Sequence, residues 1–304
     1  MATTHAVPVS SFPQLELKHI LVTTDFSECS RMALKQAIAV ARLHGADLTI
    51  LHLMPPEPII YSALEAADYS SEADQERLLP LIEKLEEEDG IASISHQFLV
   101  ERGPLEEVLE RVVRDRQISL LMLGTHGRTG LRKVFLGSIA EEIFRIASCP
   151  VMTIGPEIPS PLLSHGKFRS VLFATDFSAG SQHALPYAIG FAQESQARLI
   201  MLHVLEEQSV TAMYMHDELK NTARQRMLDM IPSPALLAST DFELITGYPV
   251  ESILRVAQQH EADLIVLGVH KSSGMGARAS AHLPWTIAHS VVCHAKCPVL
   301  TVRG

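Results

Sequence analysis

The chain has no apolar run approaching the ~20 residues that a membrane-spanning helix needs. Its first eighteen residues, MATTHAVPVSSFPQLELK, hold no early Lys or Arg and no apolar centre. That is not the pattern of a secretory signal, and it predicts a cytoplasmic protein. Cysteine is scarce, with only Cys29, Cys149, Cys293 and Cys297, so no disulfide framework is expected and reduced thiols are. Basic charge is also in deficit. Lys and Arg total 25 against 35 Asp and Glu, a formal net charge of −10, which argues against a nucleic acid or an anionic membrane as partner. A local basic patch could still hold a phosphate. What the sequence has in quantity is apolar residues, 47% of 304, enough for about two ordinary domains with filled cores.

A long internal repeat organises those residues. ILVTTDFSECS (Ile20 to Ser30) returns as VLFATDFSAGS (Val171 to Ser181), and LTILHL (Leu48 to Leu53) as LIMLHV (Leu199 to Val204), both displaced by 151 residues. LLMLGTH returns as LIVLGVH, and CPVMTI as CPVLTV. Four blocks in one order mark a duplicated domain rather than a solenoid.

Within the first copy, strand-like and helix-like segments alternate. Ile20 to Thr24 predicts a strand, with Ser27 or Ser30 as the cap of a following helix whose Ala33, Ala37, Val40 and Ala41 fall at helical spacing. Gly45 stops that helix, and Leu48 to Leu53 predicts the next strand. A polar helix is expected around Glu72 to Glu88, a strand over Ser95 to Val100, and an amphipathic helix through Leu105, Val108, Leu109 and Val112. Leu120 to Leu123 is the fourth strand. Ile139, Ile143 and Ile146 mark a helix ended by Pro150, and Val151 to Ile154 is the fifth strand. Strands apolar throughout suit a parallel sheet covered on both faces by helices. The Pro- and Gly-rich segment from Gly155 to Phe168 reads as a linker.

The segment GTHGRTGLRKVFLGS (Gly124 to Ser138) joins the fourth strand to the next helix with the pattern G-x2-G-x9-G-S. In open α/β sheets, ligands bind beyond the carboxyl ends of the strands, where Asp25 and Gly124 fall. Gly124 reads as a tight exit from the strand. Gly127 lets bare backbone amides approach an anion. Gly137 and Ser138 start a helix, whose free amides and positive dipole end favour phosphate. Arg128, Arg132 and Lys133 add cationic charge. Neither the P-loop spacing nor the dinucleotide fingerprint is present, and the same residues could equally form a solvated flexible loop.

With TTDFS at Thr23 to Ser27, LHL at His52, the full glycine pattern and CPV closing each half, the chain resembles a tandem universal stress protein. The likeness covers nearly everything outside the N-terminal tail and the linker. It implies two Rossmann-like domains of the adenine nucleotide alpha-hydrolase-like type, each a five-stranded parallel sheet with helices on both faces. Domain 1 would span 1–157, with 1–18 as a tail, and domain 2 would span 165–304. It further implies ATP, with or without Mg2+, at the strand ends of the first domain. Thr24 and Asp25 would contact the adenosine, Leu53 would flank the adenine, and Leu123 would lie against the nucleoside. Gly124, Thr125, His126, Gly127 and Arg128 would line the phosphates, and Gly137, Ser138 and Ile139 would close the cradle. Pairing of Val151 to Ile154 with Val299 to Val302 would make an internal pseudo-dimer, and a homodimer of chains is also open.

The second copy departs from the pattern. Aligned on CPV, Gly137 and Ser138 fall on Trp285 and Thr286; aligned from Gly268, Gly127 falls on Lys271. The loop there is four residues longer, and Pro284 removes a donor. Asp176 and its TDFS remain, but the phosphate side does not, so ATP is expected in the first domain alone. His282, His289, Cys293, His294 and Cys297 cluster near the end, yet they match no established four-ligand zinc spacing, and no metal is assigned. His52 and His203 occupy equivalent strands as structural or pocket-rim residues. No base stands ready for water: Asp25 is the sole candidate and is more simply a binding residue. A stress-response regulator that binds ATP is the leading function. A slow ATPase or phosphotransferase and a scaffold without nucleotide are the alternatives.

Overall fold

The computed structural model describes residues 15–54, 71–87, 90–125, 136–158, 167–206, 216–231, 233–269 and 282–304. They form two compact units. One comprises Glu16–Lys167 with Ala288–Arg303, and the other Phe168–Ile287 with Leu15 and Gly304.

The first unit contains β1 (His19–Thr23), α1 (Glu28–His44), β2 (Asp47–Met54), α2 (Ser71–Glu86), β3 (His96–Arg102), α3 (Leu105–Asp115), β4 (Leu120–Gly124), α4 (Ser138–Ile146) and β5 (Val151–Ile154). Its sheet runs β3-β2-β1-β4-β5, all parallel. The chain winds outward from β1 through β2 to β3, then returns to the other side of β1 for β4. That reversal opens a crevice at the carboxyl ends of β1 and β4.

Local chemistry explains the elements. Ser27, at φ −72° and ψ 165°, caps α1 by accepting from the Ser30 amide at 3.2 Å, and so settles which serine is the cap. Gly45 ends the helix in the left-handed region at φ 63°, its N–H on the Ala41 carbonyl, a conformation glycine enters without steric penalty. Ile20, Leu21 and Val22 of β1 and Leu120 to Leu123 of β4 are buried, with Ala33, Leu34, Ala37, Val40 and Ala41 of α1 packed in the same core. Each buried Val, Leu, Ile or Met side chain contributes roughly 1.5–3 kcal/mol, and each alanine methyl less. At the edge, β3 is only half-buried, with Val100 exposed. The final helix of the copy ends at Ile146, before Cys149 and Pro150 are reached.

The second unit repeats the order with β6 (Ser170–Ala174), α5 (Ala179–Ser195), β7 (Arg198–Glu206), α6 (His216–Met230), α7 (Pro234–Ala238), β8 (Thr240–Gly247), α8 (Pro249–Gln259) and β9 (Leu264–Val269). Its parallel strands run β9-β6-β7-β8. Helix α9 (His282–His294) follows, and then β10 (Val299–Arg303). From Ala288 onward this segment belongs to the first unit. The fifth strand of the second copy thus lies antiparallel to β5, pairing Val299 with Thr153 and Thr301 with Val151. Thr153 Oγ1 donates to the Val299 carbonyl at 3.2 Å, and Thr301 Oγ1 to that of Val151 at 3.3 Å. Val151, Met152, Thr153 and Ile154 are all buried, and a largely apolar, fully buried strand of this kind needs its open edge covered.

Candidate functional site

A cavity of about 240 Å³ lies at the carboxyl ends of β1, β2 and β4. Eight of the residues expected at a nucleotide site line it: Thr24, Asp25, Leu53, Leu123, Gly124, Gly137, Ser138 and Ile139. Thr125 does not line it. Thr125 is buried, its N–H on the Ile154 carbonyl and its own carbonyl accepting from Gly137 N at 2.8 Å. His126, Gly127 and Arg128 lie outside the described residues, as does Lys271 of the second copy.

The polar side of the cavity is built by the turn after β1. Phe26 N–H donates to Thr24 Oγ1 at 3.0 Å, and Ser27 N–H to Asp25 Oδ1 at 3.0 Å. Burial acts to raise the Asp25 carboxyl, but hydrogen bonds from Ser27 and Ser30 outweigh it and hold the group below the usual carboxylate range. Asp25 is therefore an ionised, acceptor-only group suited to receiving hydroxyls. Phe26 sits at φ 63°, a left-handed conformation that strains a bulky residue and is stored at functional sites. His52 holds the turn in that state: its ring lies 4.7 Å from that of Phe26, and its Nδ1 donates to the Thr24 carbonyl at 2.8 Å. The histidine is thus a structural latch behind the cavity, the first of the two roles its place in the repeat suggested.

Gly124 is required for a reason other than a tight exit from β4. A Cβ there would stand 2.7 Å from the Cys29 carbonyl carbon and 2.9 Å from Ser30 N. The missing side chain lets the first turn of α1 close on the strand end, which brings Ser30 and Asp25 to the cavity beside Leu123. Gly137 also differs from expectation. Its amide is already engaged by Thr125, and the first intrahelical bond of α4 runs from Glu141 N to the Gly137 carbonyl at 2.8 Å. The amides of Ser138, Ile139 and Ala140 belong to the first turn and have no intrahelical acceptor. They, with the Ser138 hydroxyl, are the donors this helix end offers an anion.

Six further lining residues were not assigned to the site from the sequence: Thr23, Ser30, Leu51, Leu105, Ala140 and Ile143. Leu51 and Leu53 share a face of β2 by alternation, and Ile139 and Ile143 share a face of α4 by their four-residue spacing. Those periodicities could have found them. Leu105 opens α3 and reaches the site only through tertiary packing. Most of the lining is apolar, with a few polar groups at one side, the composition of a small-molecule pocket.

The equivalent turn in the second unit keeps the same backbone. Phe177 has φ 63°, and His203 Nδ1 donates to the Thr175 carbonyl at 2.8 Å. Burial holds the His203 imidazole below its ordinary value. Ser181 Oγ donates to Asp176 Oδ1 at 2.6 Å. Burial acts to raise Asp176, and Ser178 and Ser181 again hold it low. Here α6 covers the turn: Arg226 stacks over the Phe177 ring at 4.2 Å, and Thr175 Oγ1 donates to Met230 Sδ at 3.8 Å. The phosphate side differs in its backbone as well. Helix α9 starts at His282, so Thr286, the counterpart of Ser138, lies inside a helix instead of opening one.

Among the described residues, no group of three or more His, Cys, Asp and Glu could hold a metal ion. Cys293 Sγ lies 4.0 Å from both ring nitrogens of His289. Burial pushes its thiol up, against a hydrogen bond from the Leu136 backbone. None of the four cysteines is in a disulfide, and burial pushes the Cys149 thiol up to about 12. No described helix is long and apolar enough to cross a membrane.

Comparison with known proteins agrees with the duplicated architecture. The Universal stress protein family matches residues 16–155 and again 167–303. A universal stress protein of Methanocaldococcus jannaschii is 30% identical over 142 residues, covering 45% of this chain and 81% of that protein. One from Mycolicibacterium smegmatis is 25% identical over 301 residues, covering 93% of this chain and 96% of its own length. The crystal structure of a universal stress protein from Archaeoglobus fulgidus superposes with a TM-score of 0.67 at 20% identity, over 95% of this chain and 99% of that one. With its model matched twice across nearly the whole sequence, this chain belongs to the universal stress protein family.

Proposed function

We propose that the first unit binds ATP and that the protein is a nucleotide-responsive regulator of the stress response. The observation that supports this reading is the cavity itself, where one carboxylate, an apolar wall and a helix N-terminus converge. Leu51, Leu53 and Leu123 offer apolar surface for a base, and Asp25 offers an ionised acceptor for ribose hydroxyls. The first-turn amides of α4 and Ser138 Oγ offer donors to the phosphates. Mg2+ would enter as the counter-ion of the triphosphate, since Asp25 is the only carboxylate among the described lining residues.

Regulation is favoured over hydrolysis by the state of Asp25. A carboxylate held below its usual range is a weak base, and among the described lining residues it is the one carboxylate that could activate water. Purified full-length protein is titrated with ATP while phosphate release is followed, alongside Asp25→Asn and Gly137→Trp variants. Binding that weakens in both variants, with phosphate release at background, is the expected result. Turnover abolished by Asp25→Asn would make the protein an ATPase, and no binding by the parent would make it a scaffold.

A further inference from the structure

The helix that offers its N-terminus to the cavity is anchored at its other end by the last strand of the chain. Arg303 of β10 donates from its guanidinium to the carbonyls of Phe144, at 2.8 Å, and Arg145. These are two of the last four carbonyls of α4, at the end where intrahelical bonding stops. The Ile143 carbonyl is taken by Ala147 N at 2.9 Å, so Arg303 completes the cap that the local chain begins. A cation there also complements the negative end of the helix dipole. Arg303 is only part-exposed, and burial holds its guanidinium below its ordinary value. Counting from the shared CPV, its counterpart in the first copy is Gly155. The contact is therefore absent from the repeat pattern and specific to the second half of the duplication.

A helix of nine residues is too short to persist on its own. Its place depends on three buried side chains, Ala140, Ile143 and Phe144, and on what holds its ends. At the N-terminal end the Thr125 carbonyl takes the Gly137 amide; at the C-terminal end the holder is Arg303. We propose that Arg303 is a positioning residue for the nucleotide site: the second copy supplies the clamp that keeps the first-turn amides of α4 aimed at the phosphates. The copy without a phosphate cradle thereby supports the copy that has one. This inference rests on the nucleotide reading for its ligand and stands on its own for the clamp. Arg303 does not line the cavity, so it acts through α4 rather than on the ligand.

The test uses the full chain with three substitutions. Arg303→Ala removes the clamp, Arg303→Lys keeps a cationic donor, and Thr301→Val loosens β10 from β5 while leaving the guanidinium intact. Amide hydrogen exchange across α4 is measured without ligand, and affinities are measured for ATP and for adenosine. Arg303→Ala is expected to speed α4 exchange and to weaken ATP roughly five- to tenfold, through loss of the binding-competent population. Adenosine, which does not reach the helix end, is expected to stay within about twofold, and Arg303→Lys is expected to recover most of the loss. If Arg303→Ala leaves α4 exchange unchanged, the clamp is overturned. It is equally overturned if Thr301→Val, at a matched fall in Tm, reproduces both effects. Failure of the parent to bind ATP would remove the nucleotide reading, and α4 exchange would still decide whether Arg303 holds the helix.

Discussion

The backbone N–H of Gly137 donates to the carbonyl of Thr125 at 2.8 Å. This single bond joins the residue that follows β4 to the residue that precedes α4, and so pins both ends of the glycine segment at the cavity. Gly137 thereby serves as a fixed hinge post rather than as a free donor. The donors left for an anion are one turn further along, on Ser138, Ile139 and Ala140.

Close approach of strand and helix gives the first prediction. Gly124→Ala would drive a Cβ to 2.7 Å from the Cys29 backbone, and backbone cannot swing aside as a side chain can. Overpacking of this kind destabilises by about 1–3 kcal/mol, read as a fall in the denaturation midpoint. Gly268→Ala meets the Gly180 and Ser181 backbone still more closely, so its destabilisation of the second unit is expected to be at least as large. Only Gly124→Ala should also weaken ATP, because it displaces the α1 turn that carries Ser30.

Ser27 couples helix stability to the charge of Asp25. Its side chain caps α1 and also helps to hold the Asp25 carboxyl low. Ser27→Ala should cost about 1 kcal/mol from the lost cap at every pH. It should also raise the Asp25 pKa. A carboxyl depressed in the folded state stabilises above its unfolded value, near pH 4, and loses that contribution as pH falls through the folded value. The gap between parent and Ser27→Ala is therefore expected to be widest above about pH 5 and to narrow in acid. Denaturant unfolding across pH 2.5 to 7, roughly the span on either side of a carboxylate pKa, checks this; a gap of constant size would detach Asp25 from Ser27.

The base of the second unit depends on one buried carboxylate. Asp263 is 3% exposed in its side chain and accepts from Arg169 through the backbone N at 2.6 Å, Nε at 3.2 Å and Nη2 at 3.2 Å. Asp263→Ala leaves the Arg169 amide without that acceptor and should destabilise by about 1–3 kcal/mol. Exchange of the β6 and β9 amides should rise while ATP affinity stays that of the parent, since Asp263 lies outside the cavity.

What the sequence made legible were the features set by local chemistry. Continuous apolar runs marked β1, β4 and β5, Gly45 marked the helix stop, and the repeat marked the duplication. Eight of the fourteen lining residues were expected: Asp25, Gly124, Gly137 and Ser138 sit where a strand meets a helix, whereas Thr24, Leu53, Leu123 and Ile139 were implied only by the family resemblance. The remainder depends on contacts between distant segments. Nothing beside Phe26 signals its left-handed backbone, since His52 supplies the stacking from another strand. Gly124 reads as a turn residue until Cys29 is seen against it. The bond between Arg303 and α4 links residues 159 and 158 positions apart and becomes visible only once β10 is placed beside β5.

The most direct test is the stoichiometry of ATP binding by calorimetry on the full chain. The first unit joins an intact cavity to the N-terminus of α4, whereas in the second α6 covers the equivalent turn and α9 runs through the position of Ser138. One ATP per chain is predicted, lost on Gly137→Trp. Two ATP per chain, or one that survives Gly137→Trp, would contradict it.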